Sequence, residues 1–441
     1  MLPKAYAARM ERLLGEEFPA YWEALGKPPV RGLRFLGGMG QEAFAAALPV
    51  GLSPIPYVPE GFYLEGEEKL GRHPLHHGGF FYLQEPGAML PVRALPLRPG
   101  DRVLDLCAAP GGKSLQAAAA IGETGLLVAN EIKPERCRVL AGNLERAGVK
   151  NAIVTCEKAE RLAAAWPEGF DAVILDAPCS GEGMFRKEEG ALAQWSQGLV
   201  ERCAALQREL LAEAAKLVRP GGWLLYSTCT FSPEEDEENV AWFLEQGEFL
   251  LRPLPEGLRA FVRPGVGLEP CARFYPHVSP GEGQFAALMQ RVGEEPRRDF
   301  PAGLGKLAQE AAEFLSQTLE GEPPAAAALP DGRLVIPPGR GLSPEGVTVR
   351  EWGVPLGMAQ KGRFVPSHWF FRAFGAGCRR KLSLGLGDPR GEAYLRGEEL
   401  AGEGMENGYG AVLLEGRCLG GVRAAGGRCK NLYPKGLRNF R

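Results

Sequence analysis

Short apolar runs alternate with longer amphipathic segments between residues 100 and 292. The apolar runs have the length and composition of buried strands, which we predict at residues 102–106, 126–130, 152–155, 172–175, 223–226 and 285–292. Helices are predicted between them at residues 114–120, 135–147 and 199–218. In the last helix, apolar side chains recur every three or four positions and predict one buried face: Leu199, Cys203, Leu206, Leu210, Ala214 and Leu217. This alternation favours an α/β fold with a parallel sheet covered on both sides.

The segments on either side of this core have different patterns. Residues 1–70 predict a small α+β domain, with an amphipathic helix at 6–14, a strand at 31–35 and a proline-rich end near residue 59. Residues 293–301 are charged and proline-bearing, as in a linker, and a helix is predicted at 304–319. From residue 367 the pattern is β-rich, with a hairpin predicted around the Glu415-Gly416 turn. We therefore place domains at residues 1–70, 71–291, 292–366 and 367–441.

One predicted strand leads into a glycine loop and then a helix. The segment from Leu104 to Lys113 reads LDLCAAPGGK, in which Pro110-Gly111-Gly112 forms a tight loop. A bound group can approach the backbone closely at these glycines, where free amides face it at the helix start. Glu131 follows at the end of the next apolar run, where a ribose diol lies in nucleotide-binding βαβ units. The full G-x-G-x-x-G spacing is missing, so this pattern alone also fits an ordinary turn.

Composition and charge bound the class of protein. With 441 residues, 45% of them hydrophobic, the chain is long enough for two to four domains. No apolar stretch approaches the roughly 20 residues of a membrane span, and the first residues lack a signal-peptide pattern, so we expect a cytoplasmic protein. The formal charge is −3, yet residues 367–441 carry 13 Lys or Arg against 7 Asp or Glu. A basic domain beside an acidic one favours binding to a phosphate backbone, although it also fits a solvated face.

Three sets of potential metal ligands do not favour a metal site. The acidic run from Glu234 to Glu238 follows Ser232-Pro233, which predicts a helix start with Ser232 as cap and Glu235 completing a capping box. The ten cysteines show no paired C-x-x-C spacing, so we expect no metal. Three neighbouring histidines lack a second cluster and are interpreted as loop surface: His73, His76 and His77.

Two cysteines each follow a predicted core strand. Asp176-Ala177-Pro178-Cys179-Ser180-Gly181 comes after one strand, and Ser227-Thr228-Cys229 comes after the next. Because ligands bind outside the carboxyl ends of parallel strands, both thiols and the Asp176 carboxylate are expected over the same cleft as the glycine loop. A single cysteine among ten is more often part of the core. Two cysteines in this setting favour a chemical role.

The glycine-loop, D-A-P-C-S-G and S-T-C segments together resemble the Nol1/Nop2/Sun group of RNA cytosine-C5 methyltransferases. The extension from Ser180 to Lys187 and the ending from Lys430 to Arg438 are most similar to its RsmF/YebU branch. The resemblance implies a Rossmann-like S-adenosylmethionine-dependent methyltransferase core, whose parallel sheet has a reversed last strand. It also implies a small N-terminal RNA-contacting domain and C-terminal RNA-binding domains, the last of them PUA-like. Arg31 and Arg34 would suit RNA contact, and they equally fit ordinary surface arginines.

Roles for individual residues follow from this resemblance. A thiolate that adds to C6 of cytosine turns C5 into an enamine-like carbon, which can attack an activated methyl group. Cys229 is expected to be this nucleophile and Cys179 to assist product release, although DNA cytosine methyltransferases use the P-C cysteine instead. Asp176 would hydrogen-bond the cytosine edge or the cofactor's amino group. Lys187 would help to position the target nucleotide.

The implied cofactor is S-adenosylmethionine. Its methionine and ribose are expected at the glycine loop, and its ribose hydroxyls at Glu131, with Arg136 in support. Its adenine is expected at Glu157, with Glu160 as the alternative, because Lys158 takes the aligned position of the family's acid. The expected cofactor-binding residues are Cys107, Ala108, Ala109, Pro110, Gly111, Gly112, Lys113, Glu131, Arg136, Glu157 and Asp176.

The implied function is methylation of cytosine C5 in the decoding region of 16S rRNA. The expected partner is 16S rRNA within the 30S subunit, and the protein is expected to be a monomer that does not bind membranes. Two other functions fit the same sequence. One is the same chemistry on tRNA, and the other is a non-catalytic RNA-binding or ribosome assembly factor that keeps the fold.

Overall fold

The computed structural model of the protein describes residues 2–300, 304–339, 341–360, 363–402 and 404–438, and the strands of these residues form four sheets. None of the helices within the described ranges combines the length and the apolar character that crossing a membrane requires.

The first sheet is built by the N-terminal part of the chain. Its elements are α1 (Lys4–Leu14), α2 (Phe18–Leu25), β1 (Gly32–Phe35), α3 (Gln41–Ala46), β2 (Gly51–Ile55), β3 (Val58–Glu65), α4 (Pro74–His77) and β4 (Phe81–Leu83). The strands pair antiparallel in the order β2-β3-β1-β4. β4 lies beyond the predicted domain boundary near residue 70, yet it pairs with β1, where Tyr82 stands opposite Arg34. The N-terminal sheet therefore continues to residue 83.

The central sheet carries most of the buried apolar side chains. The first half of its region contains α5 (Leu90–Ala94), β5 (Arg102–Asp105), α6 (Gly112–Ile121), β6 (Leu126–Asn130), α7 (Pro134–Ala147), β7 (Ala152–Thr155), α8 (Ala159–Ala165) and β8 (Phe170–Asp176). The second half contains α9 (Glu189–Gln194), α10 (Gln197–Leu217), β9 (Val218–Thr228), α11 (Glu237–Leu244), β10 (Phe249–Arg252), α12 (Glu256–Arg259), β11 (Arg263–Pro264), β12 (Ala272–Phe274) and β13 (Gln284–Arg291). Every residue of β5, β6 and β7 is buried, because helices cover both faces.

The strand order places a ligand-binding crevice at the end of β5. The strands β7, β6, β5, β8 and β9 are parallel neighbours in that order, and β13 pairs antiparallel with β9. This confirms the Rossmann-like core and its reversed last strand. The chain winds to one side of β5 through β6 and to the other through β8, so a crevice opens at their carboxyl ends. Asp176 at the end of β8 stands opposite Ser227 of β9.

The buried face of α10 differs from the predicted one in its first four turns. Its buried residues are Val200, Ala204, Gln207, Leu211, Ala214 and Leu217, so only the last two match the prediction. Leu206, predicted to be buried, is 41% exposed, whereas the polar Gln207 is fully buried. The reason is that Gln207 hydrogen-bonds Glu235 and Pro178 beneath the cysteine loops. A pattern of apolar residues alone cannot reveal such a buried polar contact.

The predicted capping box at the acidic run is also wrong. The helix α11 starts at Glu237, and the residue before it is Asp236. The Ser232 hydroxyl donates to Glu234, and the Glu235 carboxylate accepts hydrogen bonds from Ser180 and Gln207. Glu235 is therefore drawn into the protein by the cysteine loops instead of capping a helix.

The third sheet follows the central region. Its region contains α13 (Gln309–Thr318), β14 (Ala327–Ala328), β15 (Leu334–Ile336), β16 (Val349–Trp352), β17 (Val354–Gln360) and β18 (Arg363–Pro366). The sheet order is β14-β15-β17-β18, while β16 leaves it and pairs antiparallel with β7 of the central sheet. The segment that we predicted as a separate middle domain therefore contributes an edge strand to the core.

The fourth sheet lies at the C-terminal end of the described residues. Its region contains α14 (His368–Phe374), β19 (Lys381–Leu384), α15 (Pro389–Arg396), β20 (Leu400–Ala401), β21 (Gly408–Leu414), β22 (Arg417–Ala425) and β23 (Arg428–Asn431), and the order is β19-β21-β22-β23-β20. β21 and β22 form the predicted hairpin around Glu415-Gly416. The Arg417 guanidinium donates to the carbonyls of Leu36, Gly37 and Ala147, so this domain packs against both the N-terminal and the central parts.

Candidate active site

The glycine loop joins β5 to α6 and lies in the crevice. Gly111 has a φ of 114°, a conformation that favours glycine, and it directly precedes the first turn of α6. A Cβ on Gly112 would lie only 3.0 Å from the Gln84 side chain and 3.1 Å from the Tyr82 ring. The loop is fixed from the other side by Asn130, whose carbonyl accepts a hydrogen bond from the Ala108 amide at 2.8 Å.

Arg34 supports this loop from the N-terminal domain. Its side chain is buried, and it donates to the carbonyl of Gly112 at 2.9 Å and to Gln84 at 3.3 Å. Arg31 is half-buried and donates to the carbonyls of Gly66 and Glu68. Both expectations for Arg34 are therefore wrong, since it is neither a surface residue nor available to RNA. Its role here is to join the first domain to the glycine loop.

A cavity of about 780 Å³ connects the glycine loop to the cysteine loops. The predicted residues that line it are Cys107, Ala108, Ala109, Pro110, Gly112, Lys113, Arg136, Asp176, Cys179, Lys187 and Cys229. Gly111, Glu131 and Glu157 do not line it. The structure thus brings most of the expected catalytic and cofactor-binding residues to one crevice.

The acidic residues around the crevice are held by neighbouring groups of the protein. Glu131 is buried behind Arg136, whose guanidinium lies 3.0 Å from the Glu131 carboxylate and donates to the Ala109 carbonyl. The Glu157 carboxylate turns to the third region, where it accepts hydrogen bonds from the Thr348 amide and hydroxyl at 3.0 and 2.8 Å. Glu160 is exposed on α8 and does not line the cavity. Only Arg136 of this group reaches the cavity surface.

Asp105 is a cavity residue to which sequence reasoning gave no role. It is fully buried at the end of β5, where its Oδ2 accepts a hydrogen bond from the Ser114 hydroxyl at 2.6 Å and its Oδ1 has no hydrogen-bond partner. Burial raises the pKa of Asp105 to about 7, against the lowering effect of the Ser114 hydroxyl. An acidic residue inside an otherwise apolar strand was the signal that could have identified it. Its free oxygen gives the cavity an acceptor for a positively charged group.

The sulfur atoms of Cys179 and Cys229 lie 3.3 Å apart at the other end of the cavity. Each cysteine belongs to the loop that follows one of the neighbouring strands β8 and β9, as expected. Asp176 stands beside them, where its carboxylate accepts a hydrogen bond from the Ser227 hydroxyl and forms an ion pair with Lys113, both at 2.8 Å. Two thiols, a carboxylate and an ammonium group thus share one wall.

Burial and neighbouring groups shift the pKa values of the Cys179 thiol and the Lys113 ammonium. The hydrogen bond with Cys229 and burial raise the pKa of Cys179 well above its usual range, so this thiol keeps its proton. Burial opposes the charged form of Lys113, but its ion pair with Asp176 and the nearby Cys229 sulfur hold its pKa above the usual value. The Lys113 side chain therefore stays charged in the lining of the cavity that also contains the Cys229 sulfur.

Three family models match the chain. The first, described as 16S rRNA methyltransferase RsmB/F, matches residues 92–290. The second, the N-terminal domain of 16S rRNA methyltransferase RsmF, matches residues 2–86, and the third, the methyltransferase RsmF PUA domain, matches residues 381–439. Together they cover the N-terminal sheet, the central sheet and the last sheet.

Individual proteins show the same likeness. The chain is 41% identical over 248 residues to ribosomal RNA small subunit methyltransferase F of Enterobacter sp. (strain 638), over 55% of this chain and 52% of that protein. It is 38% identical over 313 residues to the protein of that name from Erwinia tasmaniensis, over 68% of this chain and 65% of that protein. The match thus spans between 52% and 65% of the length of these relatives. A solved methyltransferase homolog from Pyrococcus horikoshii is 29% identical with a TM-score of 0.58, over 66% of this chain and 95% of that one.

Proposed function

The chain belongs to the RsmB/F family of 16S rRNA methyltransferases, and on this premise we propose that it transfers a methyl group from S-adenosylmethionine to C5 of a cytidine in 16S rRNA. We place this cytidine in the decoding region, within the 30S subunit, as the resemblance of the sequence implies. The observation that carries the proposal is the pair of thiols 3.3 Å apart in the same cavity as the glycine loop. Cytosine-C5 chemistry requires such a nucleophile beside a bound methyl donor.

The residues around the glycine loop fit S-adenosylmethionine. When bound, this cofactor supplies an electrophilic methyl group on a positively charged sulfur. The unpartnered Oδ1 of Asp105 would accept a hydrogen bond from its amino group, and Gly112, Tyr82 and Gln84 line the same cavity. Arg136, held by Glu131, would contact the ribose side. Since Thr348 already binds the Glu157 carboxylate, Glu157 would reach the adenine only if that contact were released.

Cys229 is the proposed nucleophile. Its sulfur, as a thiolate, would form a bond to C6 of the cytosine while N3 takes a proton from solvent. The electron-rich C5 would then take the methyl group, and the pair of the broken C–S bond would stay on the sulfur of the methyl donor. Solvent would take the C5 proton, the C–H electron pair would form the C5–C6 double bond, and the Cys229–C6 bond would break with its electron pair returning to sulfur. N3 would release its proton to solvent, which leaves neutral 5-methylcytosine. Cys179, which keeps its proton, is placed to donate a hydrogen bond to the departing sulfur. Asp176 would accept a hydrogen bond from the cytosine edge or from the cofactor's amino group.

Lys187 is proposed to bind the phosphate next to the target nucleotide. Its side chain is exposed and lies at the rim of the cavity. Lys187→Ala is expected to raise the KM for RNA about three- to tenfold and to reduce the salt dependence of binding by about one ion, because one phosphate contact is lost. The Kd for S-adenosylmethionine should stay unchanged. Lys216→Ala, which removes an exposed lysine of α10 that binds Glu213, is the matched control. An unchanged KM and salt slope in Lys187→Ala would remove this role.

Asp105→Asn is expected to weaken cofactor binding and to stabilise the cofactor-free protein at the same time. The pKa of Asp105 is about 7 in the folded protein, above the ordinary value of 3.8. The free energy of unfolding therefore falls as the pH rises from the ordinary pKa through the native one, because the folded state must then bury a charged carboxylate. Asparagine removes this penalty, so the variant should melt at a higher temperature than wild type at about pH 8, and the gap should narrow by about pH 5. Losing a charge-assisted hydrogen bond should raise the Kd for S-adenosylmethionine about 10- to 100-fold.

Differential scanning calorimetry and isothermal titration measure these two effects. Asp101→Asn is the matched control, because Asp101 precedes the opposite end of β5 and binds the Arg98 amide. An unchanged cofactor Kd in Asp105→Asn would show that Asp105 does not bind the cofactor.

Methylation mapping tests the proposed function as a whole. Free 30S subunits, naked 16S rRNA and tRNA are each offered to the purified protein in separate reactions. One or more cytidines of the small-subunit RNA should become 5-methylcytidine. Modification of tRNA alone would favour the alternative substrate. Binding of RNA without methyl transfer to any of the three would favour a non-catalytic factor.

A further inference from the structure

A buried carboxylate links the two cysteine loops from below. Glu235 is fully buried and does not line the cavity. Its carboxylate accepts hydrogen bonds from the amide and the hydroxyl of Ser180 at 2.9 and 2.5 Å, and the Thr230 hydroxyl lies 3.5 Å away. Ser180 directly follows Cys179, and Thr230 directly follows Cys229. One side chain therefore contacts the residue after each thiol.

Other contacts fix this carboxylate to rigid elements. Gln207 of α10 donates to it at 2.9 Å and donates also to the carbonyl of Pro178, the residue before Cys179. The Glu235 carbonyl accepts a hydrogen bond from the hydroxyl of Tyr226 in β9. The hydroxyls of Ser180 and Thr230 lie 2.8 Å apart, which closes the network. The helix α10 thus holds the Glu235 carboxylate, and the strand β9 holds the Glu235 backbone.

We propose that Glu235 is a positioning residue for the methyl transfer proposed above. By bridging Ser180 and Thr230, its side chain keeps Cys179 and Cys229 in contact. This inference rests on the proposed function for its consequence in catalysis. The bridge matters because the nucleophile and the group that assists its departure must act on one ring, and a displacement of about 1 Å can cost on the order of 100-fold in rate.

The hydrogen-bonding pattern identifies a variant that retains the bridge. One carboxylate oxygen accepts from two fixed N–H donors, those of Ser180 and Gln207, whereas the other contacts only the two hydroxyls. A glutamine can replace both functions, because its oxygen accepts from the N–H groups and its amide donates to hydroxyls that rotate to accept. Alanine leaves the buried N–H donors of Ser180 and Gln207 without this acceptor. Glu235→Gln therefore keeps the hydrogen bonds that bridge the two loops, whereas Glu235→Ala removes them.

The test compares Glu235→Ala with Glu235→Gln in methyl transfer to RNA. Glu235→Ala should lower kcat about 10- to 100-fold, with an unchanged Kd for S-adenosylmethionine, since the side chain is outside the cavity. Glu235→Gln should restore kcat to near the wild-type value. Glu234→Ala is the matched control, because the neighbouring carboxylate binds Ser232 and Gln197 near the surface instead. Wild-type kcat in Glu235→Ala, or equal loss in both Glu235 variants, would overturn the proposal.

A second measurement does not depend on activity. Phenylarsine oxide binds two neighbouring thiols through two As–S bonds with loss of one water, so the wild-type protein should gain this bridge between Cys179 and Cys229, located by peptide mass mapping. Glu235→Ala should form it more slowly and Glu235→Gln at the wild-type rate. If Glu235→Ala does not fold, Thr230→Val, which removes one hydroxyl from the network, replaces it in both measurements. The proposal would be overturned if the variant formed the arsenic bridge at the wild-type rate. A wild-type protein that forms the bridge but transfers no methyl group would count against the proposed function alone.

Discussion

Replacing Cys229 by alanine is expected to abolish methyl transfer. The loss should reach at least about 10⁴-fold, the scale seen when a catalytic nucleophile is removed, because no bond to C6 can then form and C5 stays a poor nucleophile. Binding of S-adenosylmethionine should be retained, since the substitution removes only a sulfur atom from the cavity wall. Tritium transfer from labelled cofactor to RNA measures the rate, and calorimetry measures the binding.

Two further variants make this result specific. Cys229→Ser should be as inactive as Cys229→Ala, because a serine hydroxyl is not ionised by a neighbouring lysine at neutral pH. Cys203→Ala should retain full activity, because this half-buried cysteine of α10 does not line the cavity. A Cys229→Ala protein that methylates at the wild-type rate would assign the nucleophile to another residue, and Cys179 is the alternative that lies within 3.3 Å.

Replacing Cys179 by alanine is expected to trap the protein on its RNA. The first bond, between Cys229 and C6, still forms, but the protonated thiol that assists its breaking is gone. Turnover should fall about 100-fold or more, within the range for loss of an acid–base group. A covalent protein–RNA complex should accumulate and remain intact on a denaturing gel. Methylated cytidine should be present in the trapped RNA, since the step that fails comes after methyl transfer.

The double variant Cys179→Ala/Cys229→Ala is the control for this trap. It should form no complex, because the sulfur that binds the RNA is missing. A complex that persists in the double variant would place the covalent bond on a different residue. Normal turnover of Cys179→Ala without any complex would remove the proposed role in product release.

The meeting of the two cysteines could be predicted from the sequence. Asp176 and Ser227 each end an apolar run in an alternating α/β pattern, and the ends of neighbouring parallel strands must lie at the same edge of a sheet. The register of β8 and β9 confirms this placement. The resemblance to a known family then supplied what no spacing could supply, namely the difference in role between the two thiols.

Other parts of the site depend on contacts between distant segments. Glu235 lies in a run that fits a capping box equally well, and only the folded loops show that Ser180 and Gln207 claim its carboxylate. Arg34 sits in a short strand like a surface arginine, yet the glycine loop, 78 residues away along the chain, buries it. β16 is four residues long, and nothing in its composition indicates that it pairs with β7. Long-range pairing of this kind leaves little local signal.

The central claim is that the sulfur of Cys229 bonds to C6 of the target cytosine. It is tested most directly with 16S rRNA that contains 5-fluorocytidine, whose C5 fluorine cannot leave as the C5 proton does, so that the bond to C6 persists after methyl transfer. Proteolysis and mass spectrometry of the trapped complex then locate the bond. We expect the nucleotide on the peptide that contains Cys229, and only when S-adenosylmethionine is present. A nucleotide attached to Cys179, or no covalent complex at all, would contradict the account.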